Sequence, residues 1–262
     1  MELGLKEKVV IVTGGSSNIG RSTVSSFAAE GSKVVIADWD ELQAEKVVKE
    51  VKDSGGDAIQ VKTDVSDWDQ VQAMVTKAVE EFGKVDVLVN NAGWTREVLF
   101  METPREQWEK EIGVNLWGVI NCTRAVLDHM VKQKYGRIVS ISSDAALRGE
   151  RRAAVYGAAK GGVISFSRTI AREMAPHGIM VNVISPGGIF PEDKEEHTGE
   201  MSMHKTTLLY TPEQIKKAGL RYPTRRLGKA QELANAVVFL ASDAASFITG
   251  QTLSVSGGFT MQ

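Results

Sequence analysis

With 262 residues, 42% of them hydrophobic, and a formal net charge of −2, the chain can bury a sizeable core and carries no basic field of the kind that draws in nucleic acid. No apolar run approaches the ~20 residues that span a bilayer, and Lys6, Glu7 and Lys8 interrupt the N-terminus where a signal peptide would be apolar. Cys122 is the single cysteine and the four histidines show no paired spacing, which excludes a disulfide framework and a thiolate zinc cluster and leaves no metal expected.

In chain order, short β-branched runs alternate with longer amphipathic patterns. A strand at 8–13 leads through a glycine-rich turn to a helix at 19–30, and strands at 33–38 and 58–62 lead to helices at 41–53 and 67–82. A strand at 85–90 precedes a long helix at 104–131, and a strand at 136–142 precedes a helix at 153–175. A strand at 179–184, a helix at 230–241 and a last strand at 251–255 complete the series. Fully apolar strands such as "VVIA" and "VDVLV" suit a sheet covered on both faces, hence a parallel one. Alternation without a composition break predicts one α/β domain over 1–262, a doubly wound parallel sheet with helices on both faces. Residues 187–228 break the rhythm, with Pro191, Pro212, Pro223 and one short helical stretch near 212–220. An insertion of this length reads as a lid, or as a plain surface excursion.

The turn after the first strand is "TGGSSNIG", residues 13–20. Backbone N–H groups and the dipole of a helix N-terminus favour a pyrophosphate there, and glycines let it approach. Gly14, Gly15 and Gly20 supply that freedom; Asn18 stands where a glycine is the ordinary choice. Asparagine tolerates left-handed geometry at a cost of about 1–2 kcal/mol, so it is expected to act through its backbone. Asp38 ends the second strand, eighteen residues beyond Gly20. An acid roughly 20 residues on accepts the ribose hydroxyls of NAD and repels the extra phosphate of NADP. Neither Ser17 nor Trp39 supplies the cation an NADP site wants. Taken alone, Asp38 is equally a solvated acid at a strand end.

In "YGAAK", Tyr156 and Lys160 lie four residues apart on one helix face. An ammonium beside a phenol is expected to lower its pKa from about 10 toward a useful base.

These motifs, with "TDV" (63–65), "NNAG" (90–93), "VNLWG" (114–118), "ISS" (141–143) and "SPGGI" (185–189), resemble the short-chain dehydrogenase/reductase family in its single-domain form, over nearly the full length. The resemblance implies a Rossmann-type sheet of seven strands and a tetrad of Asn115, Ser143, Tyr156 and Lys160. Tyr156 would be the general acid/base, Lys160 would lower its pKa and bind the nicotinamide ribose, and Ser143 would hydrogen-bond the substrate oxygen. Ser142 is the rival to Ser143, and Asn115 would hold a water linking Lys160 to solvent. For NAD, the resemblance implies contacts from Gly14, Ser17, Asn18, Ile19 and Gly20 in the loop, Asp38 and Trp39 at the second strand, and Asp64 and Val65 on the adenine side. Asn91, Ala92 and Gly93 would pass the ribose, and Pro186, Gly187 and Ile189 the nicotinamide. "FP" (190–191) stands where many members place a threonine.

The expected activity is NAD-dependent interconversion of a secondary alcohol and a ketone. "SSDAALRGE" and "LSVSGGFTM" resemble members that oxidise β-hydroxyacyl-CoA thioesters of bulky cyclic or aromatic acids; small cyclic or aryl alcohols are the alternative. A catalytically silent partner subunit is a third reading, and an NADP-linked reductase of acyl-carrier thioesters conflicts with Asp38. Arg148, Arg151 and Arg152, with Lys205, Lys216, Lys217, Arg221, Arg225 and Arg226, would meet the phosphates of coenzyme A; Glu192, Asp193, Glu195, Glu196 and Glu200 make the start of the lid acidic. The family implies a cytoplasmic homodimer or homotetramer, or a hetero-oligomer with a related subunit.

Overall fold

The computed structural model describes residues 2–190 and 211–261. Its strands are β1 (Val9–Thr13), β2 (Lys33–Asp38), β3 (Asp57–Lys62), β4 (Val87–Asn90), β5 (Gly136–Ile141), β6 (Ile179–Pro186) and β7 (Thr252–Val255). They form one sheet in the order β3-β2-β1-β4-β5-β6-β7, and every neighbouring pair is parallel. Alternate residues of the apolar strands feed two separate cores, which is why both faces had to be hydrophobic. Val10, Val12 and Ile36 join Phe27 of α1 (Asn18–Ala29), Val47 of α2 (Glu41–Asp53) and Leu233 of α9 (Ala230–Ala241) on one face. Ile11, Val35 and Leu88 join Met74 of α3 (Trp68–Phe82), Val126 of α5 (Gly118–Gln133) and Ala171 of α7 (Ala154–Met174) on the other. The architecture is the doubly wound parallel sheet that the strand pattern predicts, with the seven strands of the Rossmann-type fold that the resemblance implies.

The chain runs outward from β1 to β3 and then returns to place β4 on the other side of β1. That reversal leaves a crevice at the carboxyl ends of β1 and β4, where such sheets take their ligands.

One helical expectation needs correction, and one helix goes unpredicted. The segment 104–131 is not one helix: α4 (Arg105–Ile112) and α5 are separated by a π turn, Gly113–Trp117, in which the Gly118 N–H reaches back to Gly113 O. A further short helix, α6 (Asp144–Arg148), follows β5, too brief to show a period. In the lid region, α8 (Pro212–Gly219) starts on a capping box: Thr211 Oγ1 accepts from Gln214 N–H at 3.2 Å and Gln214 Oε1 accepts from Thr211 N–H at 2.8 Å. The acidic run from Glu192 to Glu200, and Lys205, lie outside the described residues. No described helix is long and apolar enough to cross a membrane.

Candidate active site

The carboxyl ends of β1 to β6 open into one cleft of about 430 Å³. At its β1 corner Gly14, Ser17, Asn18 and Ile19 form the wall. Gly14 has φ +63°, and a Cβ there would lie 2.9 Å from Ala92 Cα, so only glycine admits this approach. Asn18 has φ +45°, the left-handed geometry expected of it, and opens the twelve-residue α1. The residue is 4% exposed, and neither amide atom has a partner among the described residues. Asn91 staples this loop to β1, its Nδ2 donating to Thr13 O at 3.0 Å and Gly14 O at 2.9 Å. Gly20 is not on the cleft wall; it sits behind the loop, where a Cβ would fall 1.9 Å from Gly14 O. Its role is to let the helix close on the turn. A concave backbone at a helix N-terminus fits the pyrophosphate of a dinucleotide.

Asp38 stands at the end of β2 on the same wall, beside Trp39. Its Oδ2 accepts from Ser16 N–H at 2.9 Å and from Ser16 Oγ–H at 2.6 Å, and its Oδ1 accepts from Asp40 N–H at 3.0 Å. The carboxylate therefore anchors the glycine-rich loop as well as facing the cleft. Ser16 was not singled out from sequence; only the loop's path past β2 reveals it. Asp64 and Val65 line the cleft beyond β3, with Asp64 Oδ1 accepting from Ser66 N–H at 2.9 Å. Ala92 and Gly93 follow β4, Pro186 ends β6, and Gly187 and Ile189 follow it. Trp94, Lys110 and Val114 also line it; the Lys110 ammonium lies 4.3 Å over the Trp94 ring.

Ser143, Tyr156 and Lys160 meet at the β5 end of this cleft. Ser143 is the N-cap of α6, its Oγ accepting from Ala145 N–H at 3.2 Å while the hydroxyl stays near the Tyr156 oxygen. Ser142 also lines the cleft, but its Oγ–H is donated to Lys160 O at 2.9 Å, which favours Ser143 as the group for a substrate oxygen. Lys160 Nζ donates to Ile141 O at 2.8 Å and lies 5.8 Å from the Tyr156 ring centre. Burial pushes this amine down to about 8.

The phenol departs from expectation. Burial raises Tyr156 to about 12; the Ser143 hydrogen bond pulls it back, and the Glu111 carboxylate adds to the rise. Desolvation thus outweighs any neighbouring cation. Asn115 lies behind the cleft wall and is fully buried. Its Nδ2 donates to Trp94 O at 2.6 Å and Glu111 O at 2.8 Å, and its Oδ1 accepts from Trp94 N–H at 3.2 Å. The π turn swings this amide toward the loop after β4, fixing the backbone of Trp94.

Among the basic residues, Arg148 is occupied. Its guanidinium lies 3.9 Å from the Phe259 ring centre and its Nη1 donates to Phe259 O at 3.2 Å. Arg221 pairs with Glu150 at 3.4 Å and Arg226 with Glu232 at 2.6 Å. These contacts take three of the nine cations expected to face a polyanion. Phe190 N–H is likewise taken, by Gly228 O at 3.1 Å.

Comparison with known proteins agrees with this geometry. Residues 14–260 match a family profile described as enoyl-(acyl carrier protein) reductase. The chain is 39% identical over 259 residues to a 3-oxoacyl-[acyl-carrier-protein] reductase of Synechocystis sp., covering 98% of each chain. It is 37% identical over 258 residues to the enzyme of that name from Thermotoga maritima, covering 98% of this chain and 99% of the other. The crystal structure of gox2181 superposes with a TM-score of 0.88 at 37% identity, over 98% of this chain and 97% of that one. A loop fitted to a pyrophosphate at one end of the cleft, and a serine, tyrosine and lysine at the other, complete the comparison: the chain belongs to the short-chain dehydrogenase/reductase family.

Proposed function

We propose that this oxidoreductase uses NAD(H) to interconvert a secondary alcohol and a ketone on an acyl thioester, working as a 3-oxoacyl reductase. The observation that carries the reading is the meeting of Ser143, Tyr156 and Lys160 in a cleft whose opposite end is closed by Asp38. The bound dinucleotide supplies the hydride in one direction and accepts it in the other. Gly14, Ser17, Asn18 and Ile19 would hold its pyrophosphate, Asp38 its adenine-side ribose, and Lys160 its nicotinamide-side ribose. Ser143 orients the substrate oxygen through its hydroxyl, and Tyr156 moves the proton. A phenol held near 12 keeps that proton at neutral pH, so the resting site is set to donate it to a nascent alkoxide.

Asp38 supports NAD over NADP, because its negative charge opposes a 2′-phosphate and the cations on the described cleft wall are Lys110 and Lys160. The relatives' names support a 3-oxoacyl thioester. That modifies the expectation of a bulky β-hydroxyacyl-CoA without changing the bond at which hydride is exchanged. Exposed Trp117, on the π turn, and Leu253, on edge strand β7, support a homo-oligomer that covers them.

The test is a panel of 3-oxoacyl thioesters on coenzyme A and on acyl carrier protein, with cyclic and aryl ketones, each assayed with NADH and NADPH. Turnover of the thioesters with NADH is expected. If ketones react and thioesters do not, the substrate class is wrong while the oxidoreductase reading survives.

A further inference from the structure

The end of β6 and the loop after it carry Pro186, Gly187 and Ile189 into the cleft. Because β6 lies beside β5 and away from β2, this loop borders the Ser143–Tyr156 end. The cleft does not hold it alone. Gly188 N–H donates to Tyr222 Oη at 2.8 Å, from a residue just beyond α8. A Cβ on Gly188 would lie 2.6 Å from that oxygen, and one on Gly187 3.0 Å from Tyr222 Cε1. Both positions therefore let the tyrosine seat directly on the backbone.

Tyr222 is itself gripped from the C-terminus. Its ring stacks on Phe259, with centroids 4.5 Å apart and planes inclined by 27°. Phe259 in turn lies under Arg148, which also holds its carbonyl. Arg148 ends α6, the helix that Ser143 caps. The tail is tied down on both sides of Phe259: Ser256 Oγ accepts from Thr260 N–H at 3.2 Å, and Thr224 N–H donates to Gly257 O at 3.3 Å. A continuous series of contacts thus runs from Ser143 through α6, Phe259 and Tyr222 to the loop after β6.

We propose that Tyr222 is a positioning residue for hydride transfer, latched by Phe259 of the C-terminal tail, which fixes the Gly187–Gly188 wall relative to Ser143. The inference rests on the reading that the cleft holds a nicotinamide dinucleotide. The latch acts at one end of that ligand only. Losing it loosens the wall near the transferred hydride and leaves the Asp38 end untouched.

Tyr222→Phe removes the acceptor for Gly188 and keeps the ring stack. It is expected to weaken NADH binding about tenfold, the scale of one lost hydrogen bond, in a fluorescence titration of the free protein. ADP-ribose, which lacks the nicotinamide, should bind as it does to the parent. Ketone reduction should lose kcat as well, because a loosened wall no longer holds the reacting atoms in register. Phe259→Leu, at a half-buried tail residue, should reproduce the split if Tyr222→Phe fails to fold. Equal weakening of NADH and ADP-ribose means general destabilisation and overturns the latch; so do parental constants in both variants. If the parent binds neither ligand, the dinucleotide reading itself falls.

Discussion

One hydroxyl, that of Ser143, both caps α6 and lies near enough to Tyr156 to pull its pKa down. By accepting the Ala145 N–H with a lone pair it keeps its own proton free for the phenol oxygen or for a substrate. Ser143→Ala is expected to cost a hundredfold to thousandfold in kcat, about what a lost transition-state donor costs, with a smaller loss of stability from the missing cap. A kcat within threefold of the parent in a steady-state assay would shift the role to Ser142.

The pH dependence follows from two shifted groups. Tyr156 is raised to about 12 by burial and stays protonated through neutral pH, while Lys160 is lowered to about 8 and sheds its charge first as pH rises. Ketone reduction should therefore hold steady through neutrality and fall above about pH 8, where Lys160 loses the charge that would hold the ribose. Alcohol oxidation needs the phenolate and should climb only toward the Tyr156 value near 12. Profiles of kcat/KM in both directions check this, and an oxidation rate that rises with a midpoint near 8 would contradict it. Tyr156→Phe should lower turnover by about a hundredfold to ten-thousandfold while NADH still binds. Lys160→Ala should harm both, since the same amine also satisfies Ile141 O.

Asp38→Ser should relax the preference for NAD, and it should do more. The carboxylate holds Ser16 through two hydrogen bonds and Asp40 through a third. A serine cannot replace all of them, so affinity for NAD should fall about tenfold even as NADP gains. Titrations of both cofactors separate the two effects. Equal kcat/KM for NAD and NADP in the unmutated protein would remove the basis for the preference.

Most of the fold was legible because each strand is a short β-branched run that must be buried on both faces, as Val10 and Ile11 show by entering opposite cores. The meeting of Tyr156, Lys160 and Ser143 was legible through short motifs. Other features depend on contacts between distant residues. The break at Gly113–Trp117 keeps the apolar pattern of a continuous helix; what marks it is Asn115 bonding the Trp94 backbone twenty-one residues away. The raised phenol depends on how the cleft walls exclude water, which a spacing of four residues does not encode. Gly20 matched the phosphate-loop pattern, yet its space is taken by Gly14 O rather than by the cleft.

Asn18 combines a positive φ with an amide that finds no partner among the described residues. Asn18→Gly keeps the backbone geometry and removes the unpaired polar atoms, whose burial costs about 1–3 kcal/mol. NADH affinity should stay within about twofold of the parent, and Tm should not fall. Asn18→Val should weaken binding, because a β-branched side chain resists this geometry by about 1–2 kcal/mol. A tenfold loss in the glycine variant would show that the amide turns to meet the ligand.

Arg151 and Arg152 remain exposed, with no ion pair among the described residues, whereas Arg148 is spent on Phe259. The three arginines should therefore behave differently, although they lie within five positions of one another. If the substrate carries phosphates, Arg151→Ala and Arg152→Ala should raise KM for it several-fold at low salt, an effect that added salt screens within about 10 Å. Their kcat should hardly change, since binding is lost equally from ground and transition states. Arg148→Ala should instead lower kcat and weaken NADH binding, because releasing Phe259 also frees Tyr222 from its stack. Steady-state kinetics at two ionic strengths distinguish the cases. A salt-insensitive KM in the first two variants would mean that the thioester's anionic end lies elsewhere; parental behaviour of Arg148→Ala would mean that its contact with the tail does not reach the site.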